Sequence, residues 1–324
     1  MRPSMHLPLA LLLGSALRCG ALNARFGGTG LCTQAQCTTR QPLMHLATAP
    51  PAPSTDLDSL LDSMEDAAIE LDGATAPTER PMRGADGRLA PVLTLPGDTL
   101  ETSREMVGIT IGSTMLVLAI VARAFVLGGG TPLWPASAVV LGMLAGEMFS
   151  GAFHWATDNY GRLETPVVGF ACAAFQGHHL APWTISHRST WNNVFKIAGA
   201  AIPLSCTALA LLPPSASAFL AIMLYCQVLA QEFHRWSHTP PSLLPRWKRS
   251  LQKHAIALPV REHLAHHKPP FDKHYCILTG RLNAWLDSSP VYLWRRLEAI
   301  VYRLNGVEPL SWKDERVKEL ALSL

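Results

Sequence analysis

Residues 194–233, VFKIAGAAIPLSCTALALLPPSASAFLAIMLYCQVLAQEF, contain two long apolar segments separated by Pro213-Pro214. The segments 194–212 and 215–233 each hold about the twenty residues that a helix needs to cross the hydrocarbon core of a bilayer. The connection between them carries no charge and is too short to be anything but a turn. The stretch therefore predicts an antiparallel hairpin of two membrane-spanning helices.

A second hairpin precedes it, built from the apolar segments 106–127 and 133–153 and joined by the uncharged turn 128–132. If both turns lie on one side of the membrane, residues 154–193 and everything after 233 lie on the other side. The predicted fold is an all-α membrane protein with about four transmembrane helices in two hairpins. A histidine-rich cap covers them on the stromal or cytosolic side.

Composition and charge support this interpretation. Only 16% of the residues are charged, against about 25% in soluble domains. Residues 234–324 carry fifteen Lys and Arg against eight Asp and Glu, so the positive-inside rule places that side in the cytosol or, in a plastid, in the stroma. The basic region lacks a nucleic-acid-binding pattern, which argues against nucleic acid as a partner. Seven cysteines without a C-x-x-C pair argue against a zinc ribbon or a disulfide framework.

The N-terminal region has the features of a targeting leader. Residues 1–49 carry four arginines and no acid, and an apolar run at 7–17 follows Arg2. A secretory signal followed by a transit-like segment, residues 1–48, predicts import into a plastid behind extra membranes, while a plain ER signal or anchor is the alternative. Residues 49–104, rich in acids and almost free of aromatics, are expected to form a disordered acidic linker.

Histidines are concentrated in the predicted cap: eleven of thirteen fall between residues 154 and 274. His154 and Asp158 are four residues apart, so a helix places them on one face. Glu147, about two turns earlier on roughly the same face, is either a polar strut or a support for metal ligands. The adjacent His178 and His179 cannot share a helix face, but two neighbouring metals can take one each.

Two further histidine motifs follow the fourth predicted span. His234 and His238, at i and i+4, share a helix face directly at the membrane exit. His263, His266 and His267 occupy positions i, i+3 and i+4 and are expected to point at one common object. Neutral imidazole is the commonest metal ligand in proteins, so a metal ion is the expected object.

The number of histidines bears on which metal is bound. A zinc site uses three or four ligands, whereas eight or nine imidazoles suit two metals with open positions, the arrangement expected of iron that activates O2. A non-enzymatic membrane metal-binding or transport protein is the alternative. Transporters place ionisable groups near the middle of their spans, whereas here Glu147 is taken as the interior group and the histidines crowd one surface.

Several of these motifs resemble the Kua-type lipid desaturase family. They are FHWATDNYG (153–161), QGHHLAPWTISH (176–187), EFHRWSH (232–238), EHLAHHKPPFDKHYC (262–276) and ILTGRLNAWLD (277–287). The family includes animal plasmanylethanolamine desaturases and a plant plastid branch that puts a trans double bond at carbon 3 of palmitate on phosphatidylglycerol. The motifs are more similar to the plant branch. The resemblance covers about residues 105–310, leaving 311–324 as a C-terminal tail.

The resemblance implies an O2-dependent desaturase with two iron ions that acts on a membrane glycerolipid, with palmitate on plastid phosphatidylglycerol as the expected substrate. It implies an external electron donor, ferredoxin in a plastid or cytochrome b5 in the ER. A plasmalogen-forming desaturase or a lipid hydroxylase in the ER remains as the alternative. Asp158 matches the acid of the first motif, and the implied metal ligands are His154, His178, His179, His187, His234, His238, His263, His266 and His267.

Three predictions concern residues near this ligand set. His274 and His254 are left out of it. The basic face around Arg235, Arg246, Lys248 and Arg249 is expected to meet an anionic lipid head group.

Overall fold

The computed structural model describes residues 83–84, 87–128 and 131–324. Within this part of the chain the regular structure is helical, apart from an isolated bridge between Arg83 and Leu89. Four helices are long and apolar enough to cross a membrane, as the sequence predicts: α1 (Arg104–Leu127), α2 (Leu133–Asn159), α4 (Thr190–Leu211) and α5 (Pro214–Ser237). The protein is therefore an all-α membrane protein with four candidate spans.

Shorter helices form the cap between and after the spans. They are α3 (Gly169–His178), α6 (Arg246–Lys253), α7 (Val260–His266), α8 (Asn283–Asp287), α9 (Leu293–Asn305) and α10 (Glu315–Ser323). Three short 3-10 turns accompany them at Pro182–His187, Pro241–Leu243 and Leu310–Lys313.

Helix α5 is the centre of the bundle. It packs closely against α2, and it also contacts α1 and α4. Small residues permit this approach: a Cβ added at Gly146 of α2 would lie 2.4 Å from the Cβ of Cys226 on α5. On its other side, Ala218 and Ala221 of α5 pack against buried aliphatic residues of α1.

Helices α2 and α5 continue beyond their apolar segments. The sequence predicts spans ending at residues 153 and 233, whereas the helices end at Asn159 and Ser237. Hydropathy falls at the membrane surface, but the backbone stays helical because the cap buries this extra turn. The extension carries His154, Asp158 and His234.

The end of the predicted linker belongs to the fold. Trp183 donates its indole N–H to Ala90 O at 2.9 Å, and Val92 N donates to Thr184 Oγ1 at 2.9 Å. Leu89, 3% exposed, packs against Trp183. Residues 87–103, the end of the predicted linker 49–104, therefore contact the domain. The predicted leader 1–48 lies outside the described residues.

The predicted C-terminal tail also packs on the domain. Glu298 of α9 accepts hydrogen bonds from the hydroxyl of Ser311 at 3.0 Å and the indole of Trp312 at 2.9 Å. Trp312, 3% exposed, joins Val317 and Ala321 in a small apolar cluster.

Candidate metal centre

Five imidazoles from three helices converge on one point, and we call them the five-histidine group. Their ligand atoms all lie within 4.8 Å of one another. Three come from the ends of α3 and α5 and two from α7 and its C-cap. The members are His178, His234, His238, His263 and His267.

Hydrogen bonding alone cannot satisfy this group. The Nε2 of His238 lies 3.0 Å from that of His178, 3.2 Å from that of His234 and 2.7 Å from that of His263. A ring nitrogen offers either one N–H or one lone pair, so it can form one such bond. Ligand atoms at right angles around an ion, each about 2.1 Å from it, are about 3 Å apart. The observed spacing fits a shared metal ion.

A second cluster, the carboxylate group, lies beside the first and contains His154, Asp158, His179 and His266. The Oδ2 atom of Asp158 is 3.1 Å from His154 Nε2, 3.5 Å from His179 Nε2 and 3.3 Å from His266 Nε2. His154 and His266 are fully buried, and both oxygens of Asp158 lack a hydrogen-bond partner in the described part of the chain.

Backbone carbonyls fix the tautomers of two of these rings. His154 Nδ1 lies 2.9 Å from Tyr275 O, and His266 Nδ1 lies 2.8 Å from Lys273 O. A carbonyl only accepts, so both Nδ1 atoms carry the proton and, in a neutral ring, Nε2 presents a lone pair to the Asp158 carboxylate. Lone pairs that face a carboxylate repel it, and a metal ion between them would satisfy both.

Burial favours the neutral form of five cap imidazoles. Loss of hydration holds the pKa of the following residues below the usual range of histidine: His178, His238, His263, His266 and His267. Neutral imidazole is the form that binds a metal. Eight imidazoles and one carboxylate form a nitrogen-rich donor set suited to iron.

The adjacent histidines His178 and His179 belong to different groups. His178 belongs to the five-histidine group and His179 to the carboxylate group, as expected for neighbouring metals. The prediction of one common object for the third motif was wrong in part. His263 and His267, one turn apart, face the five-histidine group, whereas His266 faces the carboxylate group.

Three other cap histidines lie outside both groups. The Nε2 atom of His187 is 3.0 Å from Leu89 O, so this residue contacts the N-terminal segment. His274 Nδ1 lies 2.8 Å from Glu262 Oε2, and His254 is exposed. The structure thus brings together eight of the nine histidines of the implied ligand set, together with Asp158.

Residues 271–281, which we call the strap, supply the two carbonyls. The strap is tied to α2 by Glu147, whose Oε2 accepts from Thr279 N at 2.8 Å, and by Ser150, whose hydroxyl accepts from Ile277 N at 3.2 Å. Glu147 therefore acts as a polar strut that indirectly supports the metal ligands. No sequence pattern identified the carbonyls of Lys273 and Tyr275 in advance, because any residue supplies a carbonyl.

A cavity of about 720 Å³ adjoins the five-histidine group, with His178 and His234 in its wall. Its other walls are mainly apolar and include Phe149, Phe153 and Phe175. The volume lies within the range of about 300–1,000 Å³ typical of ligand pockets. An extended apolar ligand in this cavity would lie against the rings of His178 and His234.

Two of the four cations expected at a lipid head group are paired with Glu232, whereas Arg246 and Arg249 are exposed. Arg235 donates to both carboxylate oxygens of Glu232, and Lys248 Nζ lies 3.7 Å from Glu232 Oε1. Neither side chain lines the cavity. Lys196 of α4 does line it, although the prediction took Glu147 as the interior group of the spans.

Comparisons with known proteins agree with this geometry. Residues 143–312 match the lipid desaturase domain. The chain is 37% identical over 212 residues to fatty acid desaturase 4-like 1, chloroplastic, of Arabidopsis thaliana, a match covering 64% of this chain and 70% of the relative. It is 39% identical over 186 residues to fatty acid desaturase 4, chloroplastic, of the same plant, covering 56% of each.

A relative from an animal also matches. The chain is 31% identical over 182 residues to plasmanylethanolamine desaturase 1 of Mus musculus, covering 53% of this chain and 66% of the relative. No solved structure matches the chain. The resemblance drawn from the histidine motifs is confirmed: the chain belongs to the lipid desaturase family and is a membrane desaturase.

Proposed function

We propose that this protein is an O2-dependent di-iron desaturase that introduces a double bond into palmitate on plastid phosphatidylglycerol. One observation carries the proposal: eight imidazoles and one carboxylate form two neighbouring groups beside an apolar cavity. The five-histidine group would hold one iron and the carboxylate group the other.

The reaction removes one hydrogen from each of two adjacent methylenes. With two external electrons and two protons, O2 is reduced to two waters while the C–C single bond becomes double. The substrate C–H bonds are not acidic, so proton transfer by side chains, which contributes about 10²–10⁴-fold, is insufficient. Iron held by these residues would activate O2, which is the oxidant, and the protein supplies binding, orientation and shielding.

The protein's own residues position the chain. The phenyl rings of the cavity exclude water and hold methylenes against His178 and His234. Phe175 also packs on the ring of His154, with 5.0 Å between the centroids. The cavity contacts the five-histidine group, so the reacting methylenes are expected to lie nearest that group.

Chloroplastic relatives and four candidate spans support a plastid membrane protein. We infer a stromal histidine face from the positive-inside rule, with ferredoxin as the electron donor. An ER protein would instead present this face to the cytosol and use cytochrome b5.

Lipid profiling of a knockout tests this function. The proposal predicts that trans-3-hexadecenoic acid disappears from phosphatidylglycerol and that the wild-type gene restores it. Unchanged phosphatidylglycerol with a loss of plasmalogens would favour the plasmalogen-forming alternative and overturn the proposed substrate.

A further inference from the structure

Lys196 is an unusual residue for its position, because it lies within the membrane-spanning helix α4. It is the one Lys, Arg, Asp or Glu between Thr190 and Leu211. A charged side chain within a span is costly and is retained where it has a partner or a function. Among the described residues, Lys196 has no carboxylate within ion-pair distance.

The surroundings of Lys196 hold its ammonium group at the cavity. Lys196 lines the cavity, and its Nζ lies 3.6 Å from the centroid of the Phe170 ring on α3. This cation–π contact contributes to holding the flexible side chain in place. Phe170 also lines the cavity, so the ammonium group of Lys196 and the ring of Phe170 together form one edge of it.

The other charges at this edge neutralise each other. Arg188 binds both carboxylate oxygens of Asp98, with Nη1 3.1 Å from Oδ1. The same guanidinium donates to Thr99 O and to Asn192 Oδ1. Arg188 and Asp98 line the same cavity as Lys196. The edge therefore carries one uncompensated positive charge.

We propose that Lys196 binds the phosphate of the glycerophospholipid substrate and so selects anionic lipids over uncharged ones. This inference rests on the proposed function, since it assumes that an acyl chain of the same lipid occupies the cavity. A phosphate at Lys196 would complete the missing ion pair while the chain extends toward His178 and His234. Arg235 and Lys248 are less suited to this role, because both lie at Glu232 and neither lines the cavity.

Lipid retention by the purified full-length protein tests the proposal without requiring turnover. Mixed micelles would contain equal amounts of dipalmitoylphosphatidylglycerol, a dipalmitoylglycerol with an uncharged sugar head group, and free palmitate. Mass spectrometry would count each lipid retained per chain. The variants are Lys196→Met, Lys196→Arg and, as matched control, Lys253→Met, which alters an exposed lysine of α6 outside the cavity.

The wild type should retain phosphatidylglycerol over the uncharged lipid by about tenfold or more, the scale of one charge-assisted contact. Lys196→Met should abolish this preference, whereas Lys196→Arg and Lys253→Met should keep it. A preference that survives in Lys196→Met overturns the proposal, as does stronger retention of free palmitate than of phosphatidylglycerol by the wild type. The ratio of two lipids is insensitive to a general loss of folded protein.

Desaturation assayed on the same preparations separates this proposal from the function on which it rests. If the protein forms product but its preference for phosphatidylglycerol does not depend on Lys196, the phosphate site is refuted and the desaturase function stands. If lipid selection depends on Lys196 but the iron-loaded protein, supplied with electrons, forms no unsaturated product, the desaturase function is refuted. The phosphate site would then still stand.

Discussion

In each histidine, the position of the ring proton decides which nitrogen can bind a metal ion. In His154 and His266, the carbonyls of Tyr275 and Lys273 take the Nδ1 protons and leave Nε2 for a ligand. Such contacts fix ring orientation and raise ligand basicity. The carboxylate of Asp158 adds a negative charge to one group only, so the two metal positions are chemically different.

Metal should be released from the carboxylate group when one of its imidazoles is removed or when the charge of Asp158 is removed. His266→Ala and Asp158→Asn are each expected to lose one of the two irons and to abolish product, because both groups are required for the reaction. Elemental analysis of the purified protein and analysis of lipid products measure both effects. His254→Ala, which removes an exposed histidine outside both groups, is the control. Retained desaturation in His266→Ala would remove His266 from the ligand set.

His187 offers a sharper test at this scale, because the motif resemblance includes it among the ligands while its Nε2 lies at Leu89 O. His187→Ala should keep both irons and lose the hydrogen bond to Leu89 O, at a cost of about 1 kcal/mol. Iron content and thermal unfolding in detergent distinguish the two roles. Iron loss comparable to that of His266→Ala would return His187 to the ligand set.

Helices set the positions of these residues, and their close packing depends on small side chains. The ends of α2 and α5 carry His154, Asp158 and His234, so the distance between these two helices fixes the distance between the groups. The strap adds a third element, held to α2 by Glu147 and Ser150. In the strap, Phe271 and His274 adopt left-handed backbone conformations with φ of 60° and 59°. For residues other than glycine this conformation is costly.

Gly146→Val should separate α2 from α5, because the added Cβ would lie 2.4 Å from the Cβ of Cys226. Overpacking of this kind costs about 1–3 kcal/mol, and iron occupancy should fall with it. Gly108→Val on α1 is the matched control, since nothing lies within 4 Å of its added Cβ. Thermal unfolding in detergent compares the two variants. Equal stability of both would contradict the packing account.

At the scale of the whole molecule, the sequence predicts the fold well, because apolar length and uncharged turns define two hairpins without knowledge of side-chain contacts. The spacing of four residues between His154 and Asp158, and between His234 and His238, likewise predicts that each pair shares a helix face. The separation of His266 from His263 was not predictable, since α7 ends at His266 and the ring of His266 contacts the carbonyl of Lys273 in the strap. The contact of His187 depends on residues 87–92, which composition assigned to a linker.

The central claim is that the two groups bind iron and that this iron desaturates a glycerolipid. Purified protein loaded with iron, reduced in the presence of O2 and supplied with dipalmitoylphosphatidylglycerol should be analysed by mass spectrometry together with its metal content. The account predicts two irons per chain and a product two hydrogen atoms lighter than the substrate, with both lost after chelation. A product that has gained an oxygen atom, or unchanged turnover after iron is removed, would contradict it.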